Sequence, residues 1–483
     1  MSTPIPTSPD SAALAASNRW PSQVKYILGN EAAERFSFYG MKGILAVYIT
    51  TVLMMKQDQA TNIIHLFGFV NYFMPLFGAW VSDRFWGRYR TILWISLSYC
   101  VGHGVLACSD AFHSVDGKVM CLYVGLGLIA FGSGGIKPCV SAFMGDQFKP
   151  EQRHLLQKAY AAFYFSINFG STAAFLIIPW IRDTHGYSWA FGVPGIAMAL
   201  ATLVFWIGTP HYTRVPPASK TGTAGFFKVL WFAIRGGSKR GPVEGFWTAA
   251  RERFSDAEVD AARSVLPILS VFALVPVFWA LFDQTFSTWV LQGAKMEPYM
   301  LGNYKIGPEQ MLTINPLLVM AFVPIMTLWL YPILGRFASP LRRMSYGMFL
   351  AAASFVIVAL IQIQIDSGAK VSVLWQIVPY IVLTMAEVFI STTGLEFAFR
   401  EAAPSMKSTI MGFWNLTIAV GNLLVSVITK IAAGVLNGGK AGEVSVTPTM
   451  FYFYAGLTFV VAIAFSVVAT FYKYRDPSAA MGR

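Results

Sequence analysis

Runs of about twenty mostly apolar residues recur along this chain from near residue 27 to residue 472, and about twenty is what one helix needs to cross a hydrocarbon layer. Approximately twelve such runs can be drawn, at 27–52, 62–82, 91–109, 119–141, 160–180, 189–209, 264–288, 310–333, 343–365, 372–397, 408–433 and 449–472. Only helices and closed barrels satisfy their own backbone inside lipid, and these runs are far too long for barrel strands. The expectation is an all-α membrane protein with twelve transmembrane helices. Composition agrees: 12% of the 483 residues are charged and 55% hydrophobic, about half the charge of an ordinary soluble protein. Disorder, a secreted disulfide scaffold and a soluble enzyme are excluded.

The net charge of +12 invites a nucleic-acid reading. Its placement argues against one, because the basic residues sit mostly in short loops between apolar runs. The N-terminus, the loops from even- to odd-numbered runs and the C-terminus hold about 23 of the 36 lysines and arginines, the opposite loops about 8, and the spans or their edges about 5. The richer side is read as cytoplasmic, with both termini on it. Residues 1–24 read as a disordered tail without the features of a cleavable signal. Cys100, Cys108, Cys121 and Cys139 lie in or beside apolar runs with no Cys-x-x-Cys pair, so neither a disulfide framework nor a metal site is expected. No cofactor motif stands out.

One connection is long. Residues 210–263 carry Lys220, Lys228, Arg235, Lys239, Arg240, Arg251 and Arg253, and divide a six-helix bundle at 25–209 from another at 264–473, with 474–483 as a cytoplasmic tail. Within the connection Phe226–Ile234 is apolar but too short to span. Ser255-Asp256-Ala257-Glu258 fits a capping box. A cytoplasmic linker with one or two helices along the membrane surface follows.

Charges inside apolar runs are costly, about 2.5–3.5 kcal/mol each on insertion scales, and so are informative. Glu31, Glu34, Arg35 and Lys42 all fall in the first run. At about 100° per residue, with Glu31 at zero, Glu34 lies near −60°, Arg35 near +40° and Lys42 near +20°, with Phe38 near −20° and Tyr39 near +80°. The four charges share one arc and sum to zero, so the stripe faces a partner helix or a wet cavity rather than lipid. Lys137 adds a base in Gly132-Ser133-Gly134-Gly135-Ile136-Lys137-Pro138, where the glycines and Pro138 let backbones approach and bend. Asp283 and Glu387 are acids in later runs with no obvious basic partner in their own spans. Bases in the first half and acids in the second suit a zwitterion bound by carboxylate and ammonium. The acids could also carry protons. His65 lies in the second run with Tyr72 seven residues on, and histidine titrates nearest physiological pH. The remaining histidines lie at run ends or in loops, and no role is read for them.

Several stretches resemble one family. Glu31-Ala-Ala-Glu34-Arg35-Phe36-Ser37-Phe38-Tyr39-Gly40 resembles the E-x-x-E-R-F-x-Y-Y-G motif of the proton-dependent oligopeptide transporters, a branch of the major facilitator superfamily. Gly132–Phe148 and Phe163–Ser171 resemble its fourth- and fifth-helix signatures, and Gly78–Tyr89 the superfamily loop between helices two and three. Phe278–Gln284 and Ala386-Glu387-Val388 resemble its seventh and tenth helices. The resemblance implies a proton-coupling cluster of Glu31, Glu34, Arg35 and Lys137, with Asp283 and His65 also sensing protons. It implies a peptide site with Arg35, Tyr39, Lys42, Lys137 and Asn168 on one side, and with Asn315 and Glu387 near the amino group. Trp279 one turn before Asp283, Trp414 at a side-chain pocket and Tyr72 complete it. There are departures. Lys42 stands where arginine is usual and lacks its bidentate fork. Phe38 replaces a tyrosine. No extra span pair is visible in 210–263, and only about Asp366–Val371 stands where animal members carry a large domain.

The expected function is a multi-pass symporter of a bacterial cytoplasmic (inner) membrane that imports di- and tripeptides with protons by alternating access. Its partners would be peptides, protons and lipid, not nucleic acid. A nitrate-like anion transporter or a non-transporting sensor on the same scaffold are the alternatives. No P-loop, His-Glu-x-x-His or Gly-x-Ser-x-Gly motif supports an enzyme.

Overall fold

A computed structural model describes residues 20–217, 225–237, 246–436 and 443–474. The tail expectation for 1–24 therefore lies almost wholly outside the described residues, as do parts of the linker and most of 474–483.

The chain runs through α1 (Val24–Thr51), α2 (Gln57–Val81), α3 (Gly87–Ala107), α4 (Val115–Gly145), α5 (Leu156–His185) and α6 (Tyr187–Ile207). The linker forms α7 (Phe226–Gly237), α8 (Thr248–Arg251) and α9 (Asp256–Arg263). Then come α10 (Val265–Phe272), α11 (Pro276–Phe282), α12 (Thr288–Gly293) and a two-stranded hairpin of β1 (Tyr299–Leu301) and β2 (Tyr304–Ile306). The last part holds α13 (Ile314–Ile325), α14 (Tyr331–Leu334), α15 (Pro340–Asp366), α16 (Ile377–Glu387), α17 (Thr393–Glu401), α18 (Lys407–Leu436) and α19 (Pro448–Phe471). Helix covers most of each expected run. The capping box is present: Ser255 Oγ accepts from Glu258 N, and Glu258 accepts in return from Ser255 N at 3.0 Å.

Among the described residues nine helices are long and apolar enough to cross a membrane, or ten if the bent pair Asp256–Phe272 and Pro276–Gly293 is one span. One of the nine, Gln57–Ala111, covers two expected runs. A π-helical turn, Ser82–Trp86, and Gly87 at φ +71° interrupt it, a left-handed backbone that glycine adopts without steric cost. The first helix, which carries the charged stripe, is not among the nine.

The expected single run 264–288 is broken instead. Its two pieces meet at 45°. Pro276 opens α11 without an N–H to give, and a 3₁₀ turn, Asp283–Phe286, separates α11 from α12. The break leaves Asp283 and Ser287 on irregular backbone, which membranes tolerate only where protein or a cavity surrounds it.

The described residues form two compact units, one of Met1–Met41 with Met74–Pro217 and one of Lys42–Phe73 with Ala218–Arg483. In the first unit α3 packs on α4, and the glycine-rich stretch does what its composition suggests: a Cβ at Gly132 would lie 2.5 Å from the Tyr99 Cβ. In the second unit α15 packs against α16 and α19, and α11 against α18. Here α2 is drawn in by a polar seam, described next.

Candidate functional site

In the first unit the α1 stripe folds onto itself and onto α4. Arg35 Nε donates to Glu31 Oε1 at 2.7 Å and lies 3.1 Å from Glu34 Oε2. Ser133 Oγ donates to Glu34 Oε1 at 3.0 Å. Both carboxylates are only 2% exposed, so neither has water to replace a lost partner. One guanidinium thus serves two buried acids, an arrangement in which a proton arriving on either acid leaves Arg35 to the other. Lys137 Nζ lies 4.5 Å from the Phe38 ring centroid, a cation–π contact. Phenylalanine in the tyrosine position keeps this ring face while giving up a hydroxyl. Tyr39 packs edge-on against Phe38 and Phe175. Asn168 donates to Tyr164 O of its own helix at 2.9 Å. Two residues on, α5 passes close against α1 because Gly170 carries no side chain: a Cβ there would fall 2.3 Å from Ala32 O.

His103, read from sequence as a run-end histidine without a role, is fully buried and bonds Ser37 Oγ through Nε2 at 2.9 Å. Its partner is an α1 residue 66 positions away, which no local pattern could indicate.

In the second unit Asp283, which has no base in its own span, meets one from α1. Lys42 Nζ donates to Asp283 Oδ1 at 2.9 Å, from 241 residues away. Lys42 therefore balances Asp283, and its charge also rests 3.9 Å from the Phe286 ring centroid. The other Asp283 oxygen accepts from Asn422 Nδ2 at 2.7 Å. Asn422 Oδ1 faces His65 Nδ1 at 2.9 Å, and His65 Nε2 faces Ser287 Oγ at 2.8 Å.

The direction of these bonds follows from the donors available. Asn422 gives its amide hydrogens to Asp283 and to Ile418 O, so its oxygen accepts, and neutral His65 carries its hydrogen on Nδ1. Nε2 then accepts from the Ser287 hydroxyl. A proton added at Nε2 would reverse that bond and turn the hydroxyl toward Gln284 O, 3.5 Å away. Lys42, Asp283, Asn422, His65 and Ser287 form one continuous hydrogen-bonded chain.

This chain is the middle of a longer seam on α2. Asp58 accepts from Ser445 N at 2.7 Å and from Val444 N, and Asn62 accepts from Ser426 Oγ. Asp58, Asn62 and His65 recur at four and three residues, one face of a helix, and α18 supplies both Asn422 and Ser426. Tyr72, two turns beyond His65, is half-buried on the same helix. Gly68 makes room for the seam, since a Cβ there would lie 2.4 Å from Asn422 Oδ1. Gly68→Ala should therefore displace the amide and cost about 2–4 kcal/mol through the two buried hydrogen bonds it strains. Thermal unfolding of Gly68→Ala, Asn422→Ala and the double variant checks this: the double should lose no more than the worse single.

The remaining expected residues lie in the same unit. Asn315 Nδ2 donates to Glu387 Oε2 at 2.7 Å and lies 3.1 Å from Thr384 Oγ1. Glu387 ends α16, just before a π-helical turn, Val388–Thr392, a distortion frequent at functional sites. Val319, Met326, Val388 and Phe389 form the buried apolar cluster that packs α13 and the turn after it against this π-helical turn. Trp279 and Trp414 meet nearly perpendicular with centroids 6.2 Å apart, and Phe272 packs on Trp414.

Sequence reasoning missed Asn422, Ser287, Ser133 and Gly68. The helical spacing of Asp58, Asn62 and His65 was the available signal for the seam.

The model of the POT family matches residues 89–444. Peptide transporter 3 of Caenorhabditis elegans is 38% identical over 361 residues, 72% of this chain and 51% of the relative. Solute carrier family 15 member 2 of Homo sapiens is 36% identical over 369 residues, 73% of this chain and 50% of the relative. The chain thus spans about half the length of these curated relatives. Among solved structures, the POT family transporter PepTSo is 39% identical with a TM-score of 0.85, covering 95% of this chain and 99% of that one. An auto-inhibited POT family peptide transporter is 38% identical with a TM-score of 0.85, covering 95% and 98%. The fold is the all-α, multi-pass major facilitator arrangement of these transporters. With its motifs, its folded architecture and a matched stretch of this length in agreement, the chain belongs to the POT family.

Proposed function

We propose that this protein imports di- and tripeptides together with protons across a bacterial cytoplasmic membrane by alternating access, through twelve spans in bundles 25–209 and 264–473 joined by the linker 210–263. The observation that carries the reading is the hydrogen-bonded chain Lys42–Asp283–Asn422–His65–Ser287, which links titratable side chains that are almost fully buried. A static binding protein needs no such device. The naming of relatives as peptide transporters supplies the substrate class.

The proposed roles divide by chemistry. Glu31, Glu34, Arg35, Lys137, Asp283 and His65 couple to protons. Arg35, Tyr39, Lys42, Lys137 and Asn168 are groups that a peptide carboxylate and its neighbours would meet. Asn315 and Glu387 suit an ammonium, since the carboxylate is held by an amide that leaves it charge to offer. Tyr72, Trp279 and Trp414 offer ring faces to peptide side chains.

Purified protein in liposomes under an inward proton gradient should accumulate labelled dialanine, and a protonophore should abolish it. Uptake indifferent to the protonophore would overturn symport. Glu387→Ala should weaken dialanine binding by about tenfold or more, the size of one lost charge-assisted bond, and leave N-acetyl-dialanine binding nearly unchanged. Equal losses for both ligands would remove the amino-group role.

A further inference from the structure

The linker helix α7 has two faces of opposite use. Phe226, Val229 and Ala233 are buried, and a Cβ at Gly236 would fall 2.0 Å from the Ala249 Cβ. That stripe is pinned to the protein. On the other side Phe227 is 68% exposed, Trp231 59% and Ile234 54%. Taking Phe227 as zero at about 100° per residue, Ile234 lies near −20°, Trp231 near +40°, Arg235 near +80° and Lys228 near +100°. An exposed apolar strip is therefore edged on one side by two exposed bases. No acid occurs from Phe226 to Gly237, and Lys220, Lys239 and Arg240 flank the helix in sequence.

Burying the inner stripe explains why α7 folds. It does not explain three large apolar side chains left outside, nor their basic border. An apolar strip with basic flanks is the pattern of a helix lying in a lipid interface. We infer that α7 is a docking strip for anionic phospholipid: Phe227, Trp231 and Ile234 enter the acyl boundary while Lys228 and Arg235 hold headgroup phosphates. Charge complementarity selects this occupant over a neutral lipid. A protein partner would call for carboxylates facing the two bases and would compete with lipid rather than depend on it. The inference needs a bilayer beside the linker but not peptide transport, so it stands or falls apart from the proposed activity.

The same geometry suggests a consequence. Phe227 and Phe226 both pack on Phe413 near the start of α18, and α18 carries Asn422 of the polar seam. Lipid held on α7 therefore bears on the helix that supplies the proton-linked amide.

The experiment is native mass spectrometry of the full chain extracted from bilayers of mixed phosphatidylcholine and phosphatidylglycerol. Each base near an anionic surface contributes about fivefold to partitioning, so the pair contributes roughly 25-fold. Wild type should retain phosphatidylglycerol preferentially, and the Lys228→Gln/Arg235→Gln variant should lose most of that preference. Because both side chains are exposed, an unchanged thermal midpoint will show that the variant is folded. Quenching of Trp231 fluorescence by brominated phosphatidylglycerol, isolated by difference from Trp231→Phe, should exceed quenching by brominated phosphatidylcholine. Equal retention of both lipids by wild type, no retention, or a preference untouched by the double change would each overturn the assignment. A protein that displaces phosphatidylglycerol from α7 would mark the strip as a protein interface and overturn it as well.

Discussion

Glu31→Gln should reduce gradient-driven peptide accumulation to the level of empty liposomes while leaving counterflow exchange of labelled for unlabelled dialanine largely intact. The reason lies in how one guanidinium is shared. Arg35 sits 2.7 Å from Glu31 and 3.1 Å from Glu34, and Ser133 orients Glu34 from the other side. Protonation of Glu31 would hand Arg35 to Glu34; deprotonation would divide it again. Glutamine fixes the first condition and removes the second, so the cluster no longer alternates with the gradient. Exchange needs no net proton movement and so needs no alternation. The amide is close in size to the acid and keeps a hydrogen-bonding oxygen near Arg35, so gross misfolding is not the expected outcome. Thermal unfolding of the variant provides the control. Driven uptake near the wild-type rate would show that coupling resides elsewhere, with the Lys42–Asp283 chain the next place to look.

What could be read in advance, and what could not, follows from cost. A charge in an apolar run is expensive wherever it finally points, so Glu31, Glu34, Arg35, Lys42, Asp283 and Glu387 stand out from sequence alone. Their helical phase then shows that the first four share a face. Pairing is a different matter. Lys42 and Glu34 share the stripe, but Lys42 bonds Asp283 at 241 residues' separation, and no periodicity reports that. Neutral polar residues carry little signal: Asn422 and Ser287 look like ordinary interior amides and hydroxyls, and only the fold places them on either nitrogen of His65. The break in the 264–288 run had a visible cause in Pro276, yet proline is tolerated within membrane helices, as Pro75 in α2 and Pro138 in α4 show. Its effect there depends on the surrounding packing. The family match begins at residue 89, and the α1 stripe, His65 and Tyr72 all lie before it.

Removing either partner of the Lys42–Asp283 pair should destabilise the protein by about 3–5 kcal/mol, while replacing both with apolar residues should cost less, about the 1–3 kcal/mol of the one Asn422 N–H left without its acceptor. Lys42 is 2% exposed and Asp283 4%, so a survivor has almost no access to solvent. In Asp283→Leu the Lys42 ammonium would keep the Phe286 ring at 3.9 Å, but a desolvated ring face is worth on the order of 2 kcal/mol and carries no charge to replace the carboxylate. In Lys42→Met the acid would keep Asn422, again a neutral partner for a full charge. The double change Lys42→Met with Asp283→Leu removes both charges together. Asn422 would still give a hydrogen to Ile418 O at 3.0 Å and accept from His65, so the seam has no stranded ion. Thermal and denaturant unfolding in detergent of the two single variants and the double should show this crossing pattern. Transport should not follow stability: the double variant, though more stable than either single variant, should lose gradient-driven uptake, because a pair that cannot exchange a proton cannot alternate. Single variants each within about 1 kcal/mol of wild type would mean that water reaches the pair and that its attraction is that of a surface bridge, which would remove the desolvated, switchable pair from the mechanism.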